Sequence, residues 1–90
     1  PDEVQEALLK AVIDVDYIDR TIPPKVVMKE FADSGIVFHL VVWLKNAAFR
    51  ELVTDQINRN IYMELKEADI EIPYNKLDIF MKSTQSGEAT

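Results

Sequence analysis

Ninety residues, 48% of them apolar, are enough for one small domain with a core of its own and leave no room for a second. The absence of cysteine excludes disulfides and thiolate metal sites, and a reducing compartment is the natural expectation. Acids outnumber bases 16 to 10, and the resulting charge of −6 argues against a phosphate backbone or an anionic lipid surface as the main partner.

The N-terminal segment reads as a helix beginning near Val4, with Asp2 and Glu3 supplying a cap and acids favoured by the helix dipole. Val4, Ala7, Leu8, Ala11, Val12 and Val15 recur at helical spacing and form one apolar stripe, which Leu9 and Ile13 widen. The helix fades at Asp14-Val15-Asp16, and Tyr17 to Ile22 connect it to Pro23-Pro24. No signal peptide is visible at Pro1. The longest mainly apolar run, Ile36 to Leu44, is broken by His39 and is about half of the ~20 residues that a spanning helix needs. The chain itself is therefore not expected to cross a membrane, although it fits a part of one that does.

Pro24 to Leu44 holds the densest apolar surface and predicts a β-hairpin. Val26, Val27 and Phe31 suit one pleated strand; Ile36 to Trp43 suit a second more strongly. Between them Asp33 and Ser34 can bond their own backbone, and Gly35 can adopt positive φ, which predicts a bulged connection. Ile36, Phe38, Leu40, Val42 and Leu44 would point one way, and Val37, His39, Val41 and Trp43 the other. A strand apolar on both faces needs cover on both, from helices, a partner chain or the two together.

Asn46 is the expected N-cap of a long helix over Ala47 to Ala68, with Phe49, Leu52, Val53, Ile57, Ile61 and Leu65 as its buried stripe. Pro73 cannot continue a helix and biases Ile72 toward extended backbone. Leu77, Ile79 and Met81 alternate with Asp78, Phe80 and Lys82, which predicts a short last strand. From Ser83 the tail has almost nothing to bury, so residues 83–90 are expected to be flexible. The order helix, strand, strand, helix, strand makes the fold class α+β, with both helices on one face of the sheet. That order matches the ferredoxin-like (split βαβ) plan without its first strand, which in that plan lies between the third and the fourth.

The residues also carry a resemblance. PPKVVMKEFADSGIVFHLVVWL, then a long helix, then KEADIEIPYNKLDIF, resembles the C-terminal cytoplasmic domain of the small-conductance mechanosensitive ion channel family. Pro24, Val26, Phe31, Asp33, Ser34, Ile36 and Trp43 fit its first signature, and Glu67, Ala68, Ile70, Glu71, Ile72 and Pro73 its second. Ala32, Gly35, Asp69 and Tyr74-Asn75-Lys76 depart from the pattern; Asp69 stands where the family ends its helix with Gly. The resemblance covers Asp2 to Lys82 and implies that residues 1–82 are one C-terminal α/β domain of a larger membrane protein. In that family, copies of this domain from a ring of seven subunits build a hollow cage on the cytoplasmic side of the inner membrane. The channel opens under membrane tension and releases ions and small solutes after an osmotic downshift. Self-association follows as an expectation: a heptamer for the full-length family, and a dimer through open sheet edges for this stretch alone.

No residue is assigned a catalytic, cofactor-binding or metal-ligating role, and neither an enzyme activity nor a nucleic-acid partner is expected. His39 is the one histidine and lacks partners for a metal site or a triad, so a cross-strand contact is its expected role. Asp14, Asp16 and Asp19 suggest calcium. An EF-hand counted from Asp14, however, would place Ile18, Asp19 and Lys25 where an oxygen ligand, Gly and Glu are required. Ser34 lies in a turn without a nearby base, and Gly35 and Gly87 alone make no phosphate-cradling loop. Trp43 and Tyr74 read as packing or subunit-contact residues, since no basic groove accompanies them. Two rival readings share the fold: a stand-alone ferredoxin-like module that binds a small regulatory ligand, and an acylphosphatase-like enzyme, for which no phosphate loop is evident. Fold alone does not separate them.

Overall fold

The computed structural model describes residues 2–33 and 35–83; the expected tail from residue 84 onward and Ser34 lie outside the described residues. Helix α1 spans Asp2–Val12, strands β1 and β2 span Lys25–Phe31 and Gly35–Leu44, helix α2 spans Arg50–Glu67 after a 3-10 turn at Ala47–Phe49, and strand β3 spans Leu77–Ser83. The three strands form one sheet in the order β1-β2-β3.

β1 and β2 pair antiparallel from Lys25↔Val41 to Phe31↔Gly35, and Gly35 takes φ +76°, the left-handed backbone that a bulged reversal requires. β2 and β3 pair parallel from Phe38↔Leu77 to Leu44↔Ser83, so β2–α2–β3 is a crossover unit. The α+β class and the antiparallel hairpin are as expected, while the split-βαβ strand order does not appear among the described residues. That plan keeps the strands corresponding to β2 and β3 apart with another between them, whereas here they are hydrogen-bonded neighbours along seven registered pairs. α2 carries the chain back so that β3 starts at the same end of the sheet as β2, as it would in the split plan, and with no strand between them among the described residues the two pair directly.

Both helices lie on one face. Leu8 and Val12 of α1, Leu40, Val42 and Leu44 of β2, and Val53 and Ile57 of α2 are at most 1% exposed and form one core. Fully burying a side chain of this kind contributes about 1.5–3 kcal/mol. The i,i+4 pair Arg59–Asp55, at 2.9 Å with both side chains mostly exposed, contributes only a few tenths. The apolar stripes, not the surface charges, hold α2 down.

The stripes are narrower than the sequence suggests. Leu52 is 56% exposed and Ile13 62%, so neither belongs to the core; the buried line of α2 runs through Val53, Ile57 and Ile61 at steps of four. Ile18, by contrast, is only 2% exposed, although it lies in the connection after α1. It bridges to Leu44, while the Asp19 amide donates to the Trp43 carbonyl (2.8 Å) and the Lys45 amide to that of Tyr17 (2.9 Å). Those bonds tie the connection to the end of β2.

Both helix ends are closed by identifiable groups. Arg20 donates to the Val12 and Val15 carbonyls (3.5 and 2.7 Å), and Asn60 Nδ2 donates to the Ala11 carbonyl (2.9 Å), which satisfies acceptors that α1 leaves open at its last turn. At the other end of the fold α2 finishes with Asp69 at φ +58°. The Asp69 amide donates to the Lys66 carbonyl (3.1 Å) and the Ile70 amide to that of Leu65 (2.9 Å), which is the Schellman arrangement. Asn46 caps the turn before α2 by accepting from the Ala48 amide at 2.8 Å.

Candidate interaction surfaces

The helices cover one face of the sheet and leave the other open. Strand alternation places Val27 and Phe31 of β1, Val37, His39, Val41 and Trp43 of β2, and Phe80 of β3 on this open face. Val37 and Val41 are still buried, shielded by their taller strand neighbours, while Phe31 and Phe80 are more than 40% exposed. The rows of β1 and β3 add Lys25, Lys29 and Lys82, all exposed, and the carboxylate of Asp78.

His39 sits in the middle of this face. Its Nε2 lies 3.7 Å from Asp78 Oδ2 across the β2–β3 pair, and its ring stands 4.8 Å from that of Phe80 at a 58° tilt. The cross-strand role expected from the sequence is therefore the one observed. With Asp78 59% exposed, such a pair contributes well under 1 kcal/mol. Further along β2, beyond Val41, Trp43 has the Lys82 ammonium 5.9 Å from its ring centroid, a weak cation–π contact at an exposed site.

On the opposite side, the helix layer carries a groove of about 540 Å³ between the end of α1 and the outer side of α2. Leu52, Met63 and Tyr17 give it an apolar floor, and Asp14, Asp16 and Glu64 face it along with Lys10. Tyr17 has φ +72°, rare for an aromatic residue, and its ring stacks on Phe49 at 4.0 Å and 8°. The stack and the Lys45 hydrogen bond over-determine that conformation. Leu52, expected in the core, belongs here instead.

The three aspartates of the calcium expectation separate. Asp19 accepts from the Thr21 amide (3.0 Å) and hydroxyl (2.6 Å), a local turn, while Asp14 and Asp16 border the groove. Among the described residues no three His, Asp or Glu side chains gather as a metal site would need. A shallower depression lies at the end of α2, where Ile70, Ile72 and Pro73 of the second signature meet Tyr62 and Leu65. The side chain of Tyr74 lies outside the described residues. Among the described residues no helix is long and apolar enough to cross a membrane. What this arrangement offers is surface for contact.

Comparison with known proteins bears on which contacts these are. A family model described as the C-terminal region of the mechanosensitive ion channel MscS matches residues 1–72. An uncharacterized MscS family protein of Haemophilus influenzae is 32% identical over 85 residues, which are 94% of this chain and 8% of that protein. A small-conductance mechanosensitive channel of Helicobacter pylori is 32% identical over 87 residues, 96% of this chain and 32% of that protein. The chain thus spans a third or less of these relatives' lengths. No solved structure matches it.

Proposed function

The chain belongs to the MscS family of mechanosensitive ion channels, and from that membership we propose that it is the non-catalytic cytoplasmic cage domain of a channel that opens on membrane tension. In this role the domain encloses a vestibule with copies of itself. Ions and small solutes leave through the cage during osmotic downshift, and the membrane-spanning part is supplied by chain outside these residues. The match of residues 1–72 to the family's C-terminal model is the observation that carries the reading.

The open sheet face supports it. A soluble monomer gains by burying apolar surface, and here one whole side of a two-layer domain, with Phe31, Trp43 and Phe80 on it, has no cover from its own helices. A domain that works among copies can leave that cover to a neighbour. The test is survival of hypo-osmotic shock in cells lacking their own tension-gated channels. The full-length protein carrying this domain should rescue them. No rescue by protein present in the membrane at normal amounts contradicts the reading.

A further inference from the structure

The two sides of the domain are opposite in charge. In a chain of net charge −6, the open sheet face presents Lys25, Lys29 and Lys82 around Val41 and Phe80, with Asp78 already facing His39. The helix groove presents Asp14, Asp16 and Glu64 around Leu52 and Met63, with Lys10 as the base that lines it. Each surface thus has an apolar centre and a charged surround, the pattern of an interface with a dry core and a polar rim.

Neither surface complements itself. Pairing two sheet faces opposes lysine to lysine, and pairing two grooves opposes carboxylate to carboxylate. Sheet face to groove brings unlike charges together at the rim and apolar side chains together at the centre. Resting on the reading that the chain works among its own copies, we propose that successive copies dock head to tail, the helix groove of one receiving the open sheet face of the next. Such a contact is heterologous: each copy uses two different patches, and repetition makes a ring where the rotation between copies divides a full turn and an open filament where it does not. The Tyr17–Phe49 stack holds one wall of the groove in a fixed shape, which lowers the ordering cost of docking. The rim charges set register and encounter rate, and the apolar centre supplies the affinity.

Charge reversal tests this, because complementary reversals repair each other only in a heterologous contact. One variant carries Lys25→Glu and Lys29→Glu, the other Asp14→Lys and Asp16→Lys; all four sites are exposed, and far-UV circular dichroism checks that both variants stay folded. Sedimentation of the 90-residue chain is followed from micromolar to several hundred micromolar in low salt. Wild-type chain is expected to self-associate, each variant alone to associate about tenfold or more weakly, and the equimolar mixture to regain wild-type association. If wild type associates and either variant does too, or the mixture fails to recover, the surface assignment is overturned while self-association stands. If wild type remains monomeric throughout, the premise that the chain works among copies falls with it.

Discussion

Asp69 is the position where the end of α2 departs from a glycine pattern, and replacing it with Gly is expected to stabilise the domain. Asp69 sits at φ +58°, where an L-residue is disfavoured by about 1–2 kcal/mol, Asp toward the low end because its short side chain bonds locally. Its carboxylate also faces the negative end of the helix dipole, an unfavourable contact of about 0.3 kcal/mol at an exposed site. Against this, Gly loses about 0.5–1 kcal/mol more backbone entropy on folding. The balance is a gain of about 0.3–0.8 kcal/mol, since the Schellman hydrogen bonds from the 69 and 70 amides are backbone bonds that Gly keeps. For a domain of this size that raises Tm by roughly 1–6 °C, measurable by scanning calorimetry or thermal circular dichroism. Asp69→Ala keeps the strain and loses the local bonding, so it should fall about 1 kcal/mol below the Gly variant. An Ala variant as stable as the Gly variant would refute the strain argument, as would a Tm unchanged by Gly.

Further outcomes follow from the packing. Asn60→Ala removes the donor to the Ala11 carbonyl at the end of α1 and should cost about 1–2 kcal/mol in urea unfolding, with the m-value unchanged. Leu40→Ala empties a fully buried site on the central strand and should cost about 2–5 kcal/mol; a loss under 1 kcal/mol would mean that the helices do not pack on this face. His39→Phe on the open face should leave stability within about 0.5 kcal/mol, because the contact with exposed Asp78 contributes little. A drop above about 2 kcal/mol would show that His39 has a structural task beyond that pair.

The parts of this fold that were legible beforehand are those set by local periodicity. Val4 to Val15 at helical spacing, Leu77 to Lys82 in alternation, Asn46 as a cap and Gly35 at a reversal each state their conformation within a few residues. What was not legible depends on where the chain goes next. Nothing in the alternation of Leu77–Lys82 says that this strand pairs parallel with β2, since the hydrogen bonds that decide it join residues 39 apart in sequence, as in Leu40↔Ile79. Ile18 sits between polar residues in an apparent loop and is buried only because Leu44 bridges to it. Leu52 carries a core residue's chemistry on the outer side of α2, where the signal was an unexplained apolar residue one step from the buried line. The capping by Arg20 and Asn60 reaches across elements, and side-chain reach leaves no pattern in a sequence. The surfaces were half legible: a middle strand apolar on both sides announced that two covers were needed, and the structure supplies one.

The most direct measurement is electrical. The full-length protein that carries this domain, reconstituted into liposome patches and put under pipette suction, should show conductance steps that rise in open probability with tension. Patches that hold the protein yet stay silent up to the tension at which they rupture would contradict the account.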